Sequence, residues 1–559
     1  MGAHTQSYEL EAGPDEARAK ARTWWTGSRH AGAVLSVLWL DAVLNLRFPN
    51  REASLWYLVP SIDLVALIGV YVVLAASRCR MPRAAQALLV LGVLAVRCLR
   101  FADGIKLRYF HREFNAYVDL PLVPELVRLL KTTLPSVEFW SLVVSVPLAT
   151  VALAVSVSRA LRHVERGVAE AGMRRALALV FAVFLAASPF WPQGRHAEYF
   201  SGAFGASVWP RLWQELKFTA QVPDRSGRVR SALARVHSSL PSAGRGLSRL
   251  ERQNVLVFLI ESYGETVLER PSFRELCGPL LADLDRQLER AGFQHASAIL
   301  ESPTYGGGSW LAHATLATGV RVDNQLDYEL LASLRPPTVA DWFERSGYRT
   351  VSVQPGTTRD VLNNDFLGFE QSYYAWSFGY RGPSFAWAPM PDQFVVDFVR
   401  RKELESAEKP LFALFALVSS HAPWTAIPQR IDDWDSLGDG SVYHRVEPIR
   451  SSADWADLSS ASPAYFASIR YDLELLTRFL IEFVEDDGLV LWMGDHQPAA
   501  DVTGGSPKRG VPVHVITRRA AFLEPFLERG YVRGLDPSRG SARLPMESLL
   551  VSMIRDFAG

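Results

Sequence analysis

Five apolar runs occupy the first two hundred residues and limit what this part of the chain can form. A helix of about 20 apolar residues spans the hydrocarbon core of a bilayer, and each run reaches or approaches that length. We predict a five-helix transmembrane domain over residues 31–191, preceded by a cytoplasmic tail at residues 1–30. The predicted spans are residues 31–48, 55–77, 84–101, 138–160 and 173–191, of which the first and third are short.

The basic residues of the loops orient these helices, because loops rich in Lys and Arg stay in the cytoplasm. The first run lacks a convincing small-residue cleavage site, so we predict a retained anchor and not a signal peptide. With five spans, the chain after residue 191 is extracytoplasmic, or periplasmic in a cell with an inner membrane. The cytoplasmic tail and loops carry Arg18, Lys20, Arg22, Arg29, Arg78, Arg80, Arg83, Arg159, Arg162, Arg166, Arg174 and Arg175.

The third loop weighs against this orientation, because it places basic residues on the outer side. They are Lys106, Arg108, Arg112, Arg128 and Lys131. The same loop contains Val123–Lys131, whose pattern predicts an amphipathic helix on the membrane surface. Basic residues in such a helix would meet phospholipid head groups.

Asp41 and Asp63 lie within predicted spans. A carboxylate at that depth is a functional candidate. The alternatives are a carboxylate that is satisfied inside the helix bundle, or a span boundary that lies a few residues away.

The remainder of the chain has the composition of a mixed α/β domain behind a linker. Residues 192–250 are polar, interrupted by Pro and Gly, and basic and Ser-rich near their end, which is typical of a linker with short helices. The net charge of the whole chain is zero, so nothing suggests a nucleic-acid partner. Cys277 is the only cysteine after residue 191, so this part has no internal disulfide.

Three apolar segments within residues 251–559 predict buried strands of a parallel sheet. They are Asn254–Ile260, Leu411–Val418 and Leu489–Met493, and helical patterns such as Tyr465–Ile481 lie between them. Strands that alternate with helices predict an α/β fold with a mostly parallel central sheet.

Polar residues follow each of these strands directly. Glu261 follows the first strand, His421 the second, and Asp495 and His496 the third. Ligands bind at the carboxyl ends of the strands in such sheets, and carboxylates and imidazoles are ligands for Zn or Mn. Each residue alone has an ordinary alternative, which is an N-terminal helix acid, a hydrogen-bonded histidine or a polar turn. Their recurrence after three strands favours a metal site.

A glycine-rich turn supplies the candidate nucleophile. Within Glu301–Gly319, three glycines precede Ser309, which opens a short helix that ends at Gly319. Such a turn presents backbone N–H groups and a positive dipole end to an anion. A metal beside Ser309 would lower the pKa of its hydroxyl and activate it for attack on a phosphoryl or sulfuryl group. The alternative is that Ser309 is an N-cap.

These motifs together resemble the alkaline phosphatase superfamily, in its sulfatase-like branch, over about residues 252–520. The spacing from Ser309 to Thr318-Gly319 matches the nucleophile motif of sulfatases. Gly494-Asp495-His496 resembles the metal-binding motif, Asn254–Ser262 the opening strand with its acidic ligand, and Ser420–Trp424 the substrate-side histidine segment. Ile469–Asp472 resembles the helix before the last site strand.

The departures from the family pattern narrow the expected chemistry. Sulfatases that convert their nucleophile to formylglycine have Pro two residues later and Arg four residues later, where this chain has Leu311 and His313. We therefore expect Ser309 to remain a serine, which argues against true sulfatase chemistry. Glu261-Ser262 stands in place of paired aspartates, which suggests one principal metal.

Spans followed by such a domain resemble the lipoteichoic acid synthase and phosphoglycerol or phosphoethanolamine transferase group. The resemblance implies Ser309 as nucleophile, with Glu261, Ser309, Asp495 and His496 on one divalent metal, Mn before Zn or Mg. It implies substrate-binding roles for His421, Arg359 and His313. Arg359 is otherwise an exposed loop arginine, and His313 either faces the anion or packs on its helix. The phosphoethanolamine subgroup has several disulfides, which this domain lacks.

The expected function is transfer of a phospho-head group, such as phosphoglycerol, from a membrane phospholipid to a glycan or polymer acceptor of the cell envelope through a phosphoserine. The alternatives are a hydrolase, meaning a phosphodiesterase, phosphatase or sulfuric ester hydrolase, or a non-catalytic membrane protein with a degenerate domain. The same covalent intermediate precedes transfer and hydrolysis, so the sequence does not separate these two.

Overall fold

The computed structural model describes residues 31–44, 61–110, 113–187, 208–241, 246–357, 365–406, 408–451, 461–485 and 487–559. The chain divides into two compact units. The first comprises Met1–Ile105 and Pro135–Lys217, and the second comprises Lys106–Leu134 and Phe218–Gly559. This division does not test the domain limits expected from the sequence, which stay a prediction.

Helices occupy the described part of each apolar run. In chain order, the α-helices before β1 are α1 (Ala31–Leu44), α2 (Ile62–Ala76), α3 (Arg83–Phe110), α4 (Ala116–Asp119), α5 (Val123–Thr133), α6 (Ser136–Ala169), α7 (Ala171–Ala187), and, within the predicted linker, α8 (Val208–Ala220) and α9 (Val222–Ser239). Among the described residues, α6 is the one helix that is long and apolar enough to cross a membrane, while α1 and Asp63–Ala76 are shorter apolar helices. The five-span topology therefore stays a prediction.

Asp41 has a hydrogen-bond partner within the first unit. Its side chain is buried, and its Oδ1 accepts the backbone N–H of Ser61 at 3.0 Å. Asp63 lies in the first turn of α2, where the N-terminal end of the helix dipole favours a carboxylate. Both observations agree with the ordinary interpretation of these two residues.

The second unit is built around a nine-stranded mixed sheet. Its strands run in the order β10-β2-β9-β8-β1-β5-β3-β4, with β11 also paired to β2, and β6 and β7 form a separate two-stranded antiparallel sheet. The strands are β1 (Val255–Ile260), β2 (Gln294–Glu301), β3 (Arg349–Gln354), β4 (Gln371–Tyr374), β5 (Leu411–Ala416), β6 (Ala426–Ile427), β7 (Ile449–Arg450), β8 (Leu489–Gly494), β9 (Gly510–Thr517), β10 (Val532–Arg533) and β11 (Arg543–Pro545).

The block β8-β1-β5-β3-β4 is parallel throughout. It contains the three strands expected from the sequence, each within two residues of its predicted limits. The neighbouring strand β9 is antiparallel to both β8 and β2, and the sequence patterns did not predict this strand. Because β9 is antiparallel to both of its neighbours, β2 runs in the same direction as β8.

Helices cover both faces of this sheet. They are α10 (Thr266–Glu269), α11 (Pro271–Arg290), α12 (Ser309–Thr318), α13 (Gln325–Leu334), α14 (Val339–Arg345), α15 (Asp392–Val399), α16 (Ser462–Phe483), α17 (Ala500–Thr503), α18 (Ala520–Glu528) and α19 (Leu549–Phe557). All six residues of β1 are buried, and alternate ones enter two separate hydrophobic clusters, as a strand covered on both sides requires. The cluster with Phe258 includes α11 and α16, and the cluster with Val257 includes α12, α14 and α19.

Candidate active site

The candidate site residues lie where four strands end at one edge of the sheet. Glu261 follows β1, Asp495 and His496 follow β8, and His421 follows β5 by a short loop. The loop after β2 leads to Ser309. Since β2, β8, β1 and β5 all run in the same direction, their carboxyl ends bring these side chains to the same edge.

Ser309 contacts the metal-ligand candidates and does not cap its helix. Gly308 is the N-cap of α12, so Ser309 is the first helical residue. Its Oγ donates a hydrogen bond to Glu261 Oε2 at 2.9 Å and lies 3.2 Å from His496 Nε2. The preceding residues Gly306, Gly307 and Gly308 have φ of 68°, 140° and 83°, a conformation that favours glycine. This turn directs the hydroxyl toward the strand ends.

Glu261, Asp495 and His496 form a cluster that could hold a metal ion, with one ligand atom of each within 4.8 Å of the others. His496 Nε2 lies 3.3 Å from Glu261 Oε1 and 3.7 Å from Asp495 Oδ2. His496 Nδ1 lies 2.8 Å from the carbonyl oxygen of Gln497, which assigns the proton to Nδ1 and leaves the Nε2 lone pair toward the carboxylates.

The electrostatics of this cluster fit a cation. The three side chains are between 1% and 7% exposed. Burial, reinforced by the negative charge of Glu261, raises the pKa of Asp495 to about 6. Burial alone would lower the pKa of His496, but the neighbouring charges of Asp495 and Glu261 raise it. Two buried carboxylates close together need positive charge, and with the imidazole and the Ser309 hydroxyl they offer the donor types of a divalent metal site.

Hydrogen bonds hold the ligands in place around the cluster. Asp495 Oδ1 accepts the backbone N–H groups of Ser262 and His496, at 2.8 Å and 2.7 Å. The hydroxyl of Ser262 donates to Glu261 Oε1 at 2.8 Å. A Cβ on Gly494 would lie 1.9 Å from the carbonyl oxygen of Tyr263, so only glycine allows β1 and β8 to end this close together.

His421 is half-buried and belongs to the same edge. Its Nδ1 lies 2.6 Å from the carbonyl oxygen of Ala422, and its ring stacks on Trp387 at 3.8 Å between centroids and 17° between planes. Burial lowers the pKa of His421 to about 4, and the charges of His496 and Asp495 also act on it. A neutral imidazole with its proton on Nδ1 can accept a proton at Nε2.

The loop that carries His421 is held by Asp392, which the sequence analysis did not single out. Its fully buried carboxylate accepts the backbone N–H of Val418 at 2.9 Å and of Ser419 at 2.7 Å. Asp472, from the Ile469–Asp472 segment, lies nearby, and burial together with the charge of Asp392 raises the pKa of Asp472. Neither Asp392 nor Trp387 carries a local sequence signal, because each acts through contacts distant in sequence.

Of the two further predicted substrate-binding residues, the structure describes His313 but not Arg359. His313 lies one turn after Ser309 on α12, on the same side of the helix, and is half-buried. Burial lowers the pKa of His313 to about 4, and the charges of Asp495 and His496 also act on it, which places it beside the cluster. Arg359 lies outside the described residues.

A family model decides what kind of domain this is. Residues 302–527 match the model of the Sulfatase family. The matched range includes Ser309, His421, Asp495 and His496. The chain carries a sulfatase-like domain. The protein is an enzyme of the alkaline phosphatase superfamily, as the strand-end motifs and their resemblance to the sulfatase-like branch predicted.

No curated protein matches the chain, but several solved structures are similar to this sulfatase-like enzyme. The lipoteichoic acid synthase LtaP from Listeria monocytogenes is 14% identical, with 50% of this chain and 70% of that chain covered and a TM-score of 0.34. The lipooligosaccharide phosphoethanolamine transferase EptA from Neisseria meningitidis is 12% identical, with 93% of this chain and 95% of that chain covered and a TM-score of 0.43. The phosphoglycerol transferase GacH from Streptococcus pyogenes is 12% identical, with 60% of this chain and 91% of that chain covered and a TM-score of 0.33.

Proposed function

We propose that this sulfatase-like enzyme is a membrane-anchored, metal-dependent phosphotransferase. It moves a phospho-head group, such as phosphoglycerol, from a phospholipid to a glycan or polymer acceptor of the cell envelope. The observation that supports it best is Ser309, whose Oγ lies 2.9 Å from Glu261 and 3.2 Å from His496 in a buried ligand cluster. The apolar helix α6 supports attachment to the membrane. The extracytoplasmic location of the catalytic unit is part of the proposal and rests on the basic residues of the loops.

Glu261, Ser309, Asp495 and His496 would hold the divalent metal, Mn before Zn or Mg. When bound, the metal stabilises the deprotonated Ser309 hydroxyl and the charge on the phosphoryl oxygens. Glu261 orients Ser309 Oγ through their hydrogen bond. Ser309 Oγ attacks the phosphorus, the bond to the diacylglycerol oxygen breaks, and the phospho-head group remains on Ser309 as diacylglycerol leaves with a proton.

The second half of the reaction transfers the group onward. An acceptor hydroxyl attacks the phosphoserine, the bond between phosphorus and Ser309 Oγ breaks, and the serine hydroxyl is restored. His421 is the candidate to receive the acceptor proton at Nε2, since its Nδ1 is engaged with the Ala422 carbonyl. His313 and Arg359 are proposed as further contacts to the head group.

Hydrolysis is the second candidate function, because water can attack the same phosphoserine. The half-buried surface at Ser309, His313 and His421 admits either nucleophile. A degenerate, non-catalytic domain is disfavoured, because every ligand candidate is present and they converge on Ser309.

The test uses the full-length protein with labelled phosphatidylglycerol and, separately, phosphatidylethanolamine in the presence of Mn. We expect diacylglycerol release that depends on Ser309 and on metal. Release that continues unchanged in Ser309→Ala would refute the nucleophile assignment. Release that rises with added glycan acceptor supports transfer, and release that is indifferent to every acceptor supports hydrolysis.

A further inference from the structure

The segment Lys106–Leu134 packs with the catalytic unit, although the first unit flanks it on both sides in the sequence. It contains the end of α3, the short helix α4 and the amphipathic helix α5. This segment lies outside the residues that match the sulfatase family model. Its first residues nevertheless touch both loops that form the candidate site.

Arg108 binds the loop that follows the metal-ligand candidates. Its Nη2 lies 2.7 Å and its Nε 3.2 Å from Asp501 Oδ2. The two side chains are 13% and 17% exposed. Asp501 lies in α17, which begins four residues after His496. Two charge-assisted hydrogen bonds from a largely buried arginine fix the position of this loop more strongly than a surface ion pair would.

Tyr109 and Phe110 contact the loop that carries the nucleophile. A Cβ on Gly306 would lie 2.2 Å from the carbonyl oxygen of Tyr109, and a Cβ on Gly307 would lie 3.1 Å from the ring of Phe110. The ring of Tyr109 also packs against the hydrophobic core beside the sheet. The glycines before Ser309 therefore permit both the turn itself and the close approach of this segment. We call Arg108–Phe110 the clasp.

Helix α5 at the other end of the segment has the properties of an interfacial helix. Val123, Leu126 and Val127 are 43%, 52% and 47% exposed, and Arg128 and Lys131 lie on the same short helix. It ends at Thr133, and α6, the helix able to cross a membrane, begins at Ser136. Exposed apolar residues, basic residues and an adjoining span fit the head-group layer of an anionic bilayer.

We propose that Lys106–Leu134 is a lipid-interface element that presents the phospholipid donor to Ser309. Helix α5 lies in the head-group layer, and the clasp holds the nucleophile loop and the metal-ligand loop against that layer. The inference rests on the proposed function, since it assigns the lipid side of the same site. It predicts that the segment matters for a donor embedded in a bilayer and not for the same head group presented in solution.

The first test compares two leucines of equal exposure on amphipathic helices. Leu126 of α5 and Leu276 of α11 are both 52% exposed. The full-length enzyme is reconstituted in anionic vesicles, and its turnover of long-chain phosphatidylglycerol in the bilayer is compared with turnover of monomeric dihexanoyl phosphatidylglycerol. We expect Leu126→Glu to lower kcat/KM for the bilayer donor about fivefold, because a charge is poorly tolerated at the apolar face. The short-chain donor, and Leu276→Glu with either donor, should change less than about twofold.

The second test addresses the clasp with a matched ion pair. Arg529 and Asp556 are 26% and 18% exposed and join the end of α18 to α19. Helix α18 follows β9, whose carboxyl end lies at the opposite edge of the sheet from the candidate site. Arg108→Gln should lower kcat for the bilayer donor about tenfold, the equivalent of about 1.4 kcal/mol, with the short-chain donor and Mn affinity little changed. The exchange Arg108→Asp with Asp501→Arg should recover part of this loss. Arg529→Gln should behave as wild type with both donors.

The outcomes separate the two proposals. If the wild type releases no diacylglycerol from either donor, the proposed function fails and the lipid-interface assignment fails with it. If the wild type is active but Leu126→Glu matches Leu276→Glu, or Arg108→Gln matches Arg529→Gln, only the lipid-interface assignment is wrong. Equal losses with both donors would show that the segment merely supports the fold, which also overturns it.

Discussion

Two clusters in the catalytic unit offer three potential metal ligands each, but they differ in what surrounds the ligands. One is the candidate site, with Glu261, Asp495 and His496, and the other is Asp285, Glu289 and His295. Within each cluster, one ligand atom per residue lies within 4.8 Å of the others. Ligand count and spacing therefore do not distinguish them.

The second cluster already balances its own charge. His295 is buried and pairs with Asp285, which also accepts the backbone N–H of Leu535 at 3.0 Å. Burial would raise the pKa of Asp285, but the hydrogen bond and charge of His295 lower it overall, and Glu289 is exposed to solvent. The carboxylates of the candidate site instead repel one another in a buried space. Uncompensated negative charge beside the candidate nucleophile Ser309 makes the first cluster the better candidate for a metal site.

Matched substitutions in the two clusters should have different effects on metal content and turnover, and equal effects would contradict the distinction between the clusters. We expect Asp495→Asn to remove the bound metal and lower diacylglycerol release roughly 10⁴-fold, because both a ligand and the compensation for His496 are lost. Asp285→Asn should leave metal content and turnover within about twofold of wild type. Elemental analysis of the purified proteins and the lipid assay measure both. Metal loss from Asp285→Asn would show that the second cluster is a metal site.

Ser309 separates metal binding from chemistry within the first cluster. Ser309→Ala should lower turnover roughly 10³-fold or more, because the nucleophile is absent, while the three remaining ligands retain the metal. Mass spectrometry of a quenched wild-type reaction should find a phospho-head group on Ser309. A phosphorylated peptide that does not include Ser309 would contradict the assignment.

Trp387 tests whether the site extends beyond the metal ligands to His421. Trp387→Ala removes the ring that stacks on His421 and should lower kcat for transfer about tenfold, with metal content unchanged. Trp376→Ala is the matched control, because Trp376 is 44% exposed and stacks on Tyr374 instead. Equal effects of the two substitutions on kcat would remove the positioning role of Trp387.

The smallest expected effect concerns acid stability near the second cluster. His514 is fully buried between Ser297 and Tyr263, and burial, with the charge of His295, lowers the pKa of His514 to about 3. In the unfolded chain, His514 binds a proton near pH 6.5. The stability that depends on neutral His514 is therefore fully present above that pH, and it is lost as the pH falls toward 3. The free energy of unfolding lost in this way by pH 5 is about 2 kcal/mol.

His514→Gln should therefore show a smaller drop in unfolding temperature than wild type between pH 7 and pH 5. Thermal unfolding followed by circular dichroism measures the difference at matched metal concentration. An identical drop in both proteins would mean that His514 is protonated in the folded state.

Most of the chemistry was predictable from local patterns. Continuous apolar segments predicted β1, β5 and β8, and the polar residues after them predicted the ligand candidates. The glycines before Ser309 predicted a turn into a short helix, which the structure has at Ser309–Thr318. The structure also removed one alternative, since Gly308 caps the helix and Ser309 does not. The ligand and nucleophile roles themselves stay predictions until tested.

What the sequence determined by itself was which residues are chemically able to act, because strand burial, turns and ligand types depend on a few neighbouring residues. The tertiary structure decided which of them meet. Strand β9 is antiparallel to both β2 and β8, so these two strands run in the same direction. The loop after β2 therefore brings Ser309 to the same edge of the sheet as the metal-ligand candidates. Trp387, Asp392 and the clasp act across long sequence separations, where no short pattern records the contact, and only the folded chain places them beside the site.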